Sequence, residues 1–481
     1  MSLHLRQDRK GAHFAGRWGA RFAGQVDMLH GSLLDKILLF ALPLAASTIL
    51  QQLFNSADVA VVGRFDSRQA LAAVGSNGPA INLLVNLFVG VSLGTNVVIA
   101  HYIGQNERQK IRDAVHTSIS LALISGFFLL AWGLVMARPL LRLMDTPEDV
   151  MELSVLYLRI YFLGMPFIML FNFGSAILRS RGDSQRPLWC LAVSGVINVI
   201  LNLILVIVFR LSVAGVGIAT VIANAVSASM VIRFLMTADD PFRFYPRQLL
   251  KSENREHALR MLRIGIPTGM QGVVFSISNI CIQAAINGFG SAASAGSATA
   301  LNFEFIAYYI INAFTQAAVT FTSQNYGAGN VERCRRVFRL SLWSGLLITG
   351  TVCAAFLFWQ HPLLSLYTLD PGVIAFAEVR MFHAVAFVWL CSTYEVSGGA
   401  LRGMGYSMLP TTLTLLGCCA FRLVWVYGVI WGMNGSFALL MDTYPITWTI
   451  TGTATLIAYF RIRRRAFALF DKEKEAVSPQ P

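Results

Sequence analysis

Two stretches of the chain repeat one pattern: residues 177–187 read ILRSRGDSQRP, and residues 400–410 read ALRGMGYSMLP. Five residue types recur in the same order, each displaced by 223 positions. The matching pairs are Leu178 with Leu401, Arg179 with Arg402, Gly182 with Gly405, Ser184 with Ser407 and Pro187 with Pro410. Gly104 and Gly327 repeat at the same displacement. The chain therefore consists of two related halves, and the motif predicts a loop in each.

The composition is typical of a membrane protein. Of the 481 residues, 55% are hydrophobic and 13% are charged, whereas soluble domains carry about 25% charged residues. Uncharged runs such as 117–137 and 211–232 have the length of about 20 residues that a spanning helix needs. Barrel strands would alternate with period two, which is not seen here. The sequence therefore predicts an all-α polytopic membrane protein.

Twelve transmembrane helices are predicted, six in each half. Their predicted ranges are 36–64, 70–100, 114–137, 150–178, 187–209, 212–236, 259–288, 292–325, 338–359, 374–401, 408–432 and 436–460. The predicted divisions are a basic cytoplasmic tail at 1–31, an N-terminal bundle at 32–236, a cytoplasmic linker at 237–258, a C-terminal bundle at 259–460 and a cytoplasmic tail at 461–481. Because six is even, both bundles begin on the same side. We expect a pseudo-two-fold axis along the membrane normal, with a substrate path between the bundles.

The positive charge is distributed unevenly across the predicted membrane. The net charge is +13, and most of the 38 lysines and arginines lie in the tails, the linker and the loops on one side. By the positive-inside rule this side is cytoplasmic, so both termini are expected there, in an inner or plasma membrane. Orientation and anionic lipid account for the charge, and no nucleic-acid partner is expected. In the repeated loops we expect arginine at the cytoplasmic surface, glycine in the turn and proline starting the next helix.

Two features of the sequence have a structural interpretation. The basic segment 1–31 resembles a mitochondrial transit peptide in composition, but a cytoplasmic tail is the favoured interpretation, and either Met1 or Met28 could be the start.

The seven cysteines lie mostly inside apolar runs without metal-binding spacing, so we expect buried core residues. No nucleophile–base pattern or phosphate loop is found. Neither an enzyme nor a cofactor is expected.

Four segments together resemble a known family. They are ALPLAASTILQQLFNSADVAVVGR at 41–64, NLFVGVSLGTNVVIAHYIG at 86–104, TSQNYGAGN at 322–330 and GGALRGMG at 398–405. In this order, and with the repeat of halves, the chain resembles the multidrug and toxic compound extrusion (MATE) antiporters over about residues 28–460. The resemblance implies two six-helix bundles. It also implies alternating-access export of organic cations or other amphipathic molecules in exchange for H+ or Na+.

The resemblance also points to individual residues. Asp58 matches the acid of the family's first helix, and Asn198 matches the asparagine of its fifth helix. Asn202 stands where many relatives carry aspartate. Phe275 and Cys391 stand where some relatives carry acids, so the C-half cation site of those relatives is not expected here. The expected partners are small amphipathic or cationic molecules and the lipid bilayer, and the protein is expected to be a monomer.

Helix geometry brings four polar side chains to one depth in the N half. With about 1.5 Å of rise per residue, Asp58 lies roughly 9 Å from Arg64 at the outer end of its helix. Asn202 and Asn77 lie at similar depths, and Asn198 shares a helix face with Asn202. A carboxylate in the membrane costs about 2.5–3.5 kcal/mol, so it normally faces a cavity and has a function. An acid with amide oxygens suits a proton carrier or a transient Na+ site, and helix-packing hydrogen bonds are the structural alternative.

The C half carries two candidate cavity acids. Glu304 lies about a dozen residues into the eighth predicted span, where it could attract a cationic substrate or pair with a neighbour. Glu395 lies seven residues before Arg402, so a solvated or arginine-paired residue near the cytoplasmic end is the alternative. Asp442 and Arg422 are predicted to pair with each other.

One alternative function has a similar architecture, namely a flippase of lipid-linked oligosaccharides. A flippase of this kind would carry basic residues in its cavity, whereas in this sequence the acids Asp58 and Glu304 are expected to outnumber basic residues there. A transporter of the major facilitator class would share the six-plus-six layout, but the segment after the second span lacks the Asp-Arg-Gly-Arg pattern of that class. The sequence leaves open the substrate and the choice between Na+ and H+.

Overall fold

The structure, a computed structural model, describes residues 25–144, 146–249, 255–432 and 435–477. The N half contains helix 1 (Leu34–Phe65), helix 2 (Arg68–Gly104), helix 3 (Arg108–Leu143), helix 4 (Glu148–Leu163 and Met165–Ser180), helix 5 (Gln185–Leu203, continued by a π-helical turn at Ile204–Val208) and helix 6 (Ser212–Met236). The C half contains helix 7 (Arg255–Asn287), helix 8 (Ser291–Gly327), helix 9 (Val331–Phe358), helix 10 (Pro371–His383, Val385–Leu390 and Cys391–Gly403), helix 11 (Met408–Trp431) and helix 12 (Phe437–Met441 and Thr443–Val477). The all-α fold is confirmed.

Most predicted spans are long and apolar enough to cross a membrane. In the described ranges ten helices meet this condition, and the two parts of helix 4 form an eleventh. The twelfth predicted span, 436–460, is helical but is not among them, because threonine occupies every second position from 447 to 455. Helix 12 also continues to Val477, so most of the predicted tail at 461–481 extends that helix.

The geometry of the repeated loops explains why both copies of the motif carry a glycine. Gly182 and Gly405 have φ angles of +92° and +90°, in the left-handed region that glycine adopts without steric cost. Each lies just beyond the end of a helix, where such a residue stops the helix. Arg179 and Arg402 stand one turn earlier, in the last turns of helices 4 and 10. The duplicated motif is thus a helix terminator preceded by an arginine.

Several helices depart from regular α-helical geometry, including helix 5 with its π-helical turn. Helix 4 bends by 45° at Gly164, next to Pro166, which has no N–H to donate. Helix 10 contains a 3-10 segment at Val385–Leu390. Helix 11 has two π-helical segments, Leu415–Ala420 and Val426–Trp431, on either side of a short α-helical segment. Such π segments are frequent at functional sites.

The two halves meet along helices 2 and 7, whose backbones touch. A Cβ added at Gly90 would lie 2.2 Å from the Gly269 nitrogen, and one at Gly94 would lie 2.1 Å from the Met261 carbonyl oxygen. Small residues allow this close approach where lipid supplies no hydrophobic driving force. Helix 1 also joins the halves: its first residues lie in a core cluster with helices 8, 9, 10 and 12, and its end lies in the N-half core.

Polar contacts close the two halves at the side predicted to be cytoplasmic. The Asn96 Nδ2 donates to the Thr320 Oγ1 at 2.8 Å, and the Ser323 Oγ donates to the Val97 carbonyl at 2.7 Å. The Gln324 Nε2 donates to the carbonyl of Ser180 at 2.6 Å. These bonds hold helix 8 against helices 2 and 4.

A short segment before helix 1 lies across this closed side. We call residues 25–33 the N-terminal strap. The Val26 N–H donates to the Gly182 carbonyl of the N half at 3.1 Å. On the C half, the Arg333 guanidinium donates to the strap carbonyls of Met28, His30 and Gly31 at 2.8–3.0 Å. The strap therefore bridges the two halves.

Candidate transport cavities

The N-half site is built around the carboxylate of Asp58, which is 8% exposed. The Asn202 Nδ2 donates to one carboxylate oxygen at 2.5 Å and also to the Asn198 Oδ1 at 3.3 Å. The Thr220 Oγ1 donates to the other carboxylate oxygen at 3.4 Å. Helices 1, 5 and 6 each contribute to this cluster. The structure thus brings together the predicted residues Asp58, Asn198 and Asn202.

The fourth predicted residue, Asn77, lies apart from this cluster. Its Nδ2 donates to the backbone carbonyls of Ala73 at 2.7 Å and Ser154 at 3.2 Å. Asn77 therefore joins helix 2 to helix 4. It does not join the Asp58 cluster, because equal depth in the membrane does not by itself make two side chains face each other. Sequence reasoning missed Thr220, since a threonine in a helix usually bonds to its own backbone. Thr220 does so to the Val216 carbonyl as well.

A cavity of about 330 Å³ opens beside Asp58. Its wall includes Asn198, Thr220, Tyr157 and Tyr161. A carboxylate with only neutral donors around it can bind a proton or a hard cation without breaking an ion pair. Within the described residues no ion pair of Asp58 is found. The chemistry of the site therefore suits reversible neutralisation of one negative charge.

The C half holds a larger cavity of about 540 Å³ with a mixed charge. Its charged wall residues are Glu304, Glu395, Arg380, Arg402 and Arg422. The expectation that acids outnumber basic residues inside is therefore wrong for this cavity. The reason is that three arginines lie inside the bundle. Arg402 was expected at the surface, Arg422 was expected to pair with Asp442, and Arg380 was overlooked.

Glu304 lines this cavity as predicted, but its charge is already neutralised. The Arg380 guanidinium donates to the same Glu304 oxygen through two nitrogens, at 2.8 and 3.2 Å. Arg380 is 2% exposed and also donates to the Ser297 Oγ at 2.5 Å. The geometry favours the pairing alternative over recruitment of a cation. The sequence signal for this pair was Arg380 itself, which lies six residues inside the predicted tenth span, where an arginine is expected to have a partner.

Glu395 also lines the cavity, and it is buried rather than solvated. The Tyr308 hydroxyl donates to its carboxylate at 3.0 Å. The Arg402 guanidinium lies 4.0 Å away and donates to the Gln271 Oε1 at 2.8 Å. Arg402 is 4% exposed, so the expectation that it lies at the cytoplasmic surface is wrong. Its repeat partner Arg179 likewise faces a cavity, one between the two halves.

Arg422 has different partners from the predicted one. Asp442 lies 2.6 Å from the His383 Nδ1, so the predicted pair of Arg422 with Asp442 is not formed. Instead, the Arg422 Nε donates to the Thr447 Oγ1 at 3.3 Å. Its guanidinium carbon lies 4.6 Å from the ring centre of Tyr444 and 5.9 Å from that of Trp448.

The two halves also match one family separately. The MatE family profile matches residues 43–204 and 267–427, which are two segments of similar length at nearly the displacement of the repeated motif. The chain belongs to the MATE family of transporters. Its function is therefore transport, and the predicted membership is confirmed.

Individual relatives agree with this membership. The chain is 26% identical over 412 residues to the Probable multidrug resistance protein YoeA of Bacillus subtilis, covering 84% of this chain and 86% of that one. It is 25% identical over 326 residues to the FAD transporter of Shewanella oneidensis, covering 67% and 71%. A solved outward-facing multidrug resistance MATE transporter of the MOP superfamily superposes with a TM-score of 0.85 at 22% identity, over 94% of this chain and 99% of that one.

Proposed function

We propose that this MATE transporter is a secondary active antiporter. It exports amphipathic organic compounds in exchange for H+ or Na+, and the coupling ion binds at Asp58. The observation that carries the proposal is the hydrogen-bonded group of Asp58, Asn202 and Thr220 beside the N-half cavity. The name of the YoeA relative supports export of drugs or toxic compounds. The FAD transporter among the relatives indicates that the cargo varies within this family.

The coupling follows from the partners of Asp58. When the carboxylate is ionised, the Asn202 and Thr220 donors stabilise it through hydrogen bonds. A bound proton or Na+ neutralises the charge, with Asn198 and Asn202 supplying oxygens to a cation. The ion drives transport only if its affinity differs between the outward- and inward-open forms, because equal affinity shifts no equilibrium. If one form exposes Asp58 to water more than the other, neutralising its charge favours the form in which Asp58 is more buried. The affinity for the ion then differs between the two forms.

The setting of this activity is also part of the proposal. The chain is a multi-pass membrane protein, and we propose the inner or plasma membrane with both termini cytoplasmic and a monomer as the working unit. The charge asymmetry of the loops supports this orientation.

One observation favours the second candidate, a flippase of lipid-linked oligosaccharides. The C-half cavity contains three arginines, and a flippase for a pyrophosphate-linked sugar needs basic groups. A flippase would move lipid between leaflets, whereas the proposed antiporter moves soluble compounds against an imposed ion gradient. The efflux experiment below separates these two functions.

The central test replaces Asp58 by asparagine, which has the shape of a protonated aspartate but cannot release a proton or bind Na+ as a carboxylate does. Asp58→Asn should insert into the membrane normally, bind cargo and lose ion-driven efflux. Efflux is measured from proteoliposomes, first under an imposed Na+ gradient and then under an imposed pH gradient. Cargo binding is measured on the same preparation.

Asp442→Asn is the matched control. Asp442 lies in the C half beside His383 and outside both cavity walls, so its replacement should leave coupling intact. Efflux by Asp58→Asn near the wild-type rate, under the same gradient, would show that Asp58 is not the coupling residue. Leaflet exchange of a lipid without efflux of any soluble compound would instead support the flippase.

A further inference from the structure

Arg422 occupies an unusual place in the C-half cavity. It lies in the short segment Phe421–Trp425 between the two π-helical segments of helix 11. From Met408 at the start of helix 11 it is 14 residues along, or about 21 Å at 1.5 Å per residue, which is deep in the membrane. Its side chain is 3% exposed and forms part of the cavity wall.

Arg422 differs from the other two cavity arginines in its partners. Arg380 has the carboxylate of Glu304 at 2.8 Å, and Arg402 has that of Glu395 at 4.0 Å. Throughout the described ranges Arg422 forms no ion pair, and its single hydrogen bond uses the Nε. The remaining N–H groups of the guanidinium, a rigid fork suited to carboxylate and phosphate, receive no carboxylate from the protein.

A buried cation without a carboxylate is costly unless something compensates it. Arginine in a membrane is expected to pair or to mark a substrate path. The rings of Tyr444 and Trp448 supply cation–π attraction to the guanidinium. They do not neutralise its charge, so the cavity has one positive charge more than it has carboxylates.

We propose that Arg422 binds the anionic group of the cargo, a carboxylate or phosphate carried by an aromatic or otherwise apolar body. The anionic group of the cargo pairs with Arg422 in the same way as the Glu304 carboxylate pairs with Arg380. The apolar body lies against the ring-lined wall formed by Tyr444, Trp448 and Phe275. This inference rests on the proposed export function, since it names the class of cargo in the C-half cavity.

The first experiment compares three probes of one size on the purified full-length protein. They are 1-naphthoate, 1-naphthyl phosphate and trimethyl(1-naphthyl)ammonium, each measured by equilibrium dialysis in detergent against protein-free micelles. The wild type should bind at least one of the anions more tightly than the ammonium compound. The tighter of the two anions identifies carboxylate or phosphate as the favoured group. Equal binding, or tighter binding of the ammonium compound, would overturn the inference without any variant.

The second experiment removes the charge of Arg422. A charge-assisted hydrogen bond contributes about 1.5–3 kcal/mol, so Arg422→Gln should weaken binding of the anion about ten- to hundred-fold and leave the ammonium compound unaffected or better bound. Arg422→Lys should recover part of the affinity. Arg339→Gln, at an exposed arginine near Glu332 on helix 9, makes the same charge change outside the cavity and should have no effect.

These measurements use no ion gradient. Their outcome is therefore separate from that of the Asp58 efflux test. Anion binding that is unchanged in Arg422→Gln would place the anion elsewhere and reject the role of Arg422. Loss of efflux in Asp58→Asn with intact anion binding would support both proposals.

Discussion

At the scale of single residues, the carboxylates of the two cavities differ in their partners. Among the described residues, Asp58 accepts side-chain hydrogen bonds only from the neutral groups of Asn202 and Thr220, so it can gain or lose charge without leaving a buried cation unpaired. Glu304 cannot do so, because Arg380 would lose its counterion. This difference supports the proposed ion-coupling role of the N half and the proposed cargo role of the C half.

The Glu304–Arg380 pair gives a prediction at this scale. Breaking a buried ion pair by removing one partner costs about 3–5 kcal/mol, because the other charge stays buried. Glu304→Gln should therefore lower the melting temperature in detergent. It should reduce transport of cationic and neutral compounds alike.

The double variant Glu304→Gln with Arg380→Gln is the control for this pair. Removing both charges should restore most of the lost stability, because no unpaired charge is left. The opposite pattern would be an unchanged melting temperature with a raised KM for cations alone. That pattern would favour the role of Glu304 in recruiting cations.

The structure places Asp58, Asn198 and Asn202 together as the sequence predicted, whereas Asn77 lies apart and Thr220 was missed. Asn198 and Asn202 share a helix face at a spacing of four, and the depth of Asp58 follows from the helix rise. The partners of Arg422 and Asp442 could not be predicted, because they depend on the rotation and bends of helices 10 to 12. Spacing along one helix fixes a face, but packing between helices decides which faces meet.

At the scale of secondary-structure elements, helices 2 and 7 determine how the halves pack. Gly90 and Gly269 allow backbone contact between the helices, in the part of helix 2 that lies nearer the side closed by polar bonds. Arg422, in the wall of the C-half cavity, lies between the two π-helical segments of helix 11. The helices themselves follow from apolar runs and the bend of helix 4 follows from Gly164 and Pro166, whereas the 3-10 and π-helical segments of helices 10 and 11 could not be read from the pattern.

The glycine contact gives a prediction at this scale. A methyl group at Gly90 would come within 2.2 Å of the Gly269 nitrogen, and overpacking of this kind costs about 1–3 kcal/mol. Gly90→Ala should therefore lower the melting temperature. Gly75→Ala lies on the same helix, where an added Cβ meets nothing within 4 Å, and should be neutral or slightly stabilising because alanine favours helix. Equal effects of the two substitutions would argue against a tight crossing.

At the scale of the whole molecule, two halves with one ancestral pattern have acquired different interiors. The repeated loops retain their glycine turns. Of the residues that the structure describes, the N-half cavity wall contains one acid, and the C-half cavity wall contains paired charges and one arginine without a carboxylate. In the described parts of the chain, most polar bonds between the halves lie at one end of the molecule. The arrangement suits two rigid bodies that rock about a shared interface.

Orientation in the membrane is the prediction at this scale. Ser291 is exposed at the turn between helices 7 and 8, which is expected outside the cell. Ser291→Cys should react with an impermeant thiol reagent in intact cells, whereas Gln105→Cys, exposed after helix 2, should react only after permeabilisation. Wild-type cells give the background from the native cysteines, six of which are buried. The reverse pattern would invert the topology.

The position of the N-terminal strap reports whether the two halves are held together at this end of the molecule. It is hydrogen-bonded to Gly182 on one half and to Arg333 on the other, so the two halves cannot separate at this end while both attachments remain. If transport opens this end, as the proposed function requires, we expect the strap to be released from one half or stretched. A fluorophore on partly exposed Leu29, paired with a quencher on either half, would follow this opening in real time without entering a cavity.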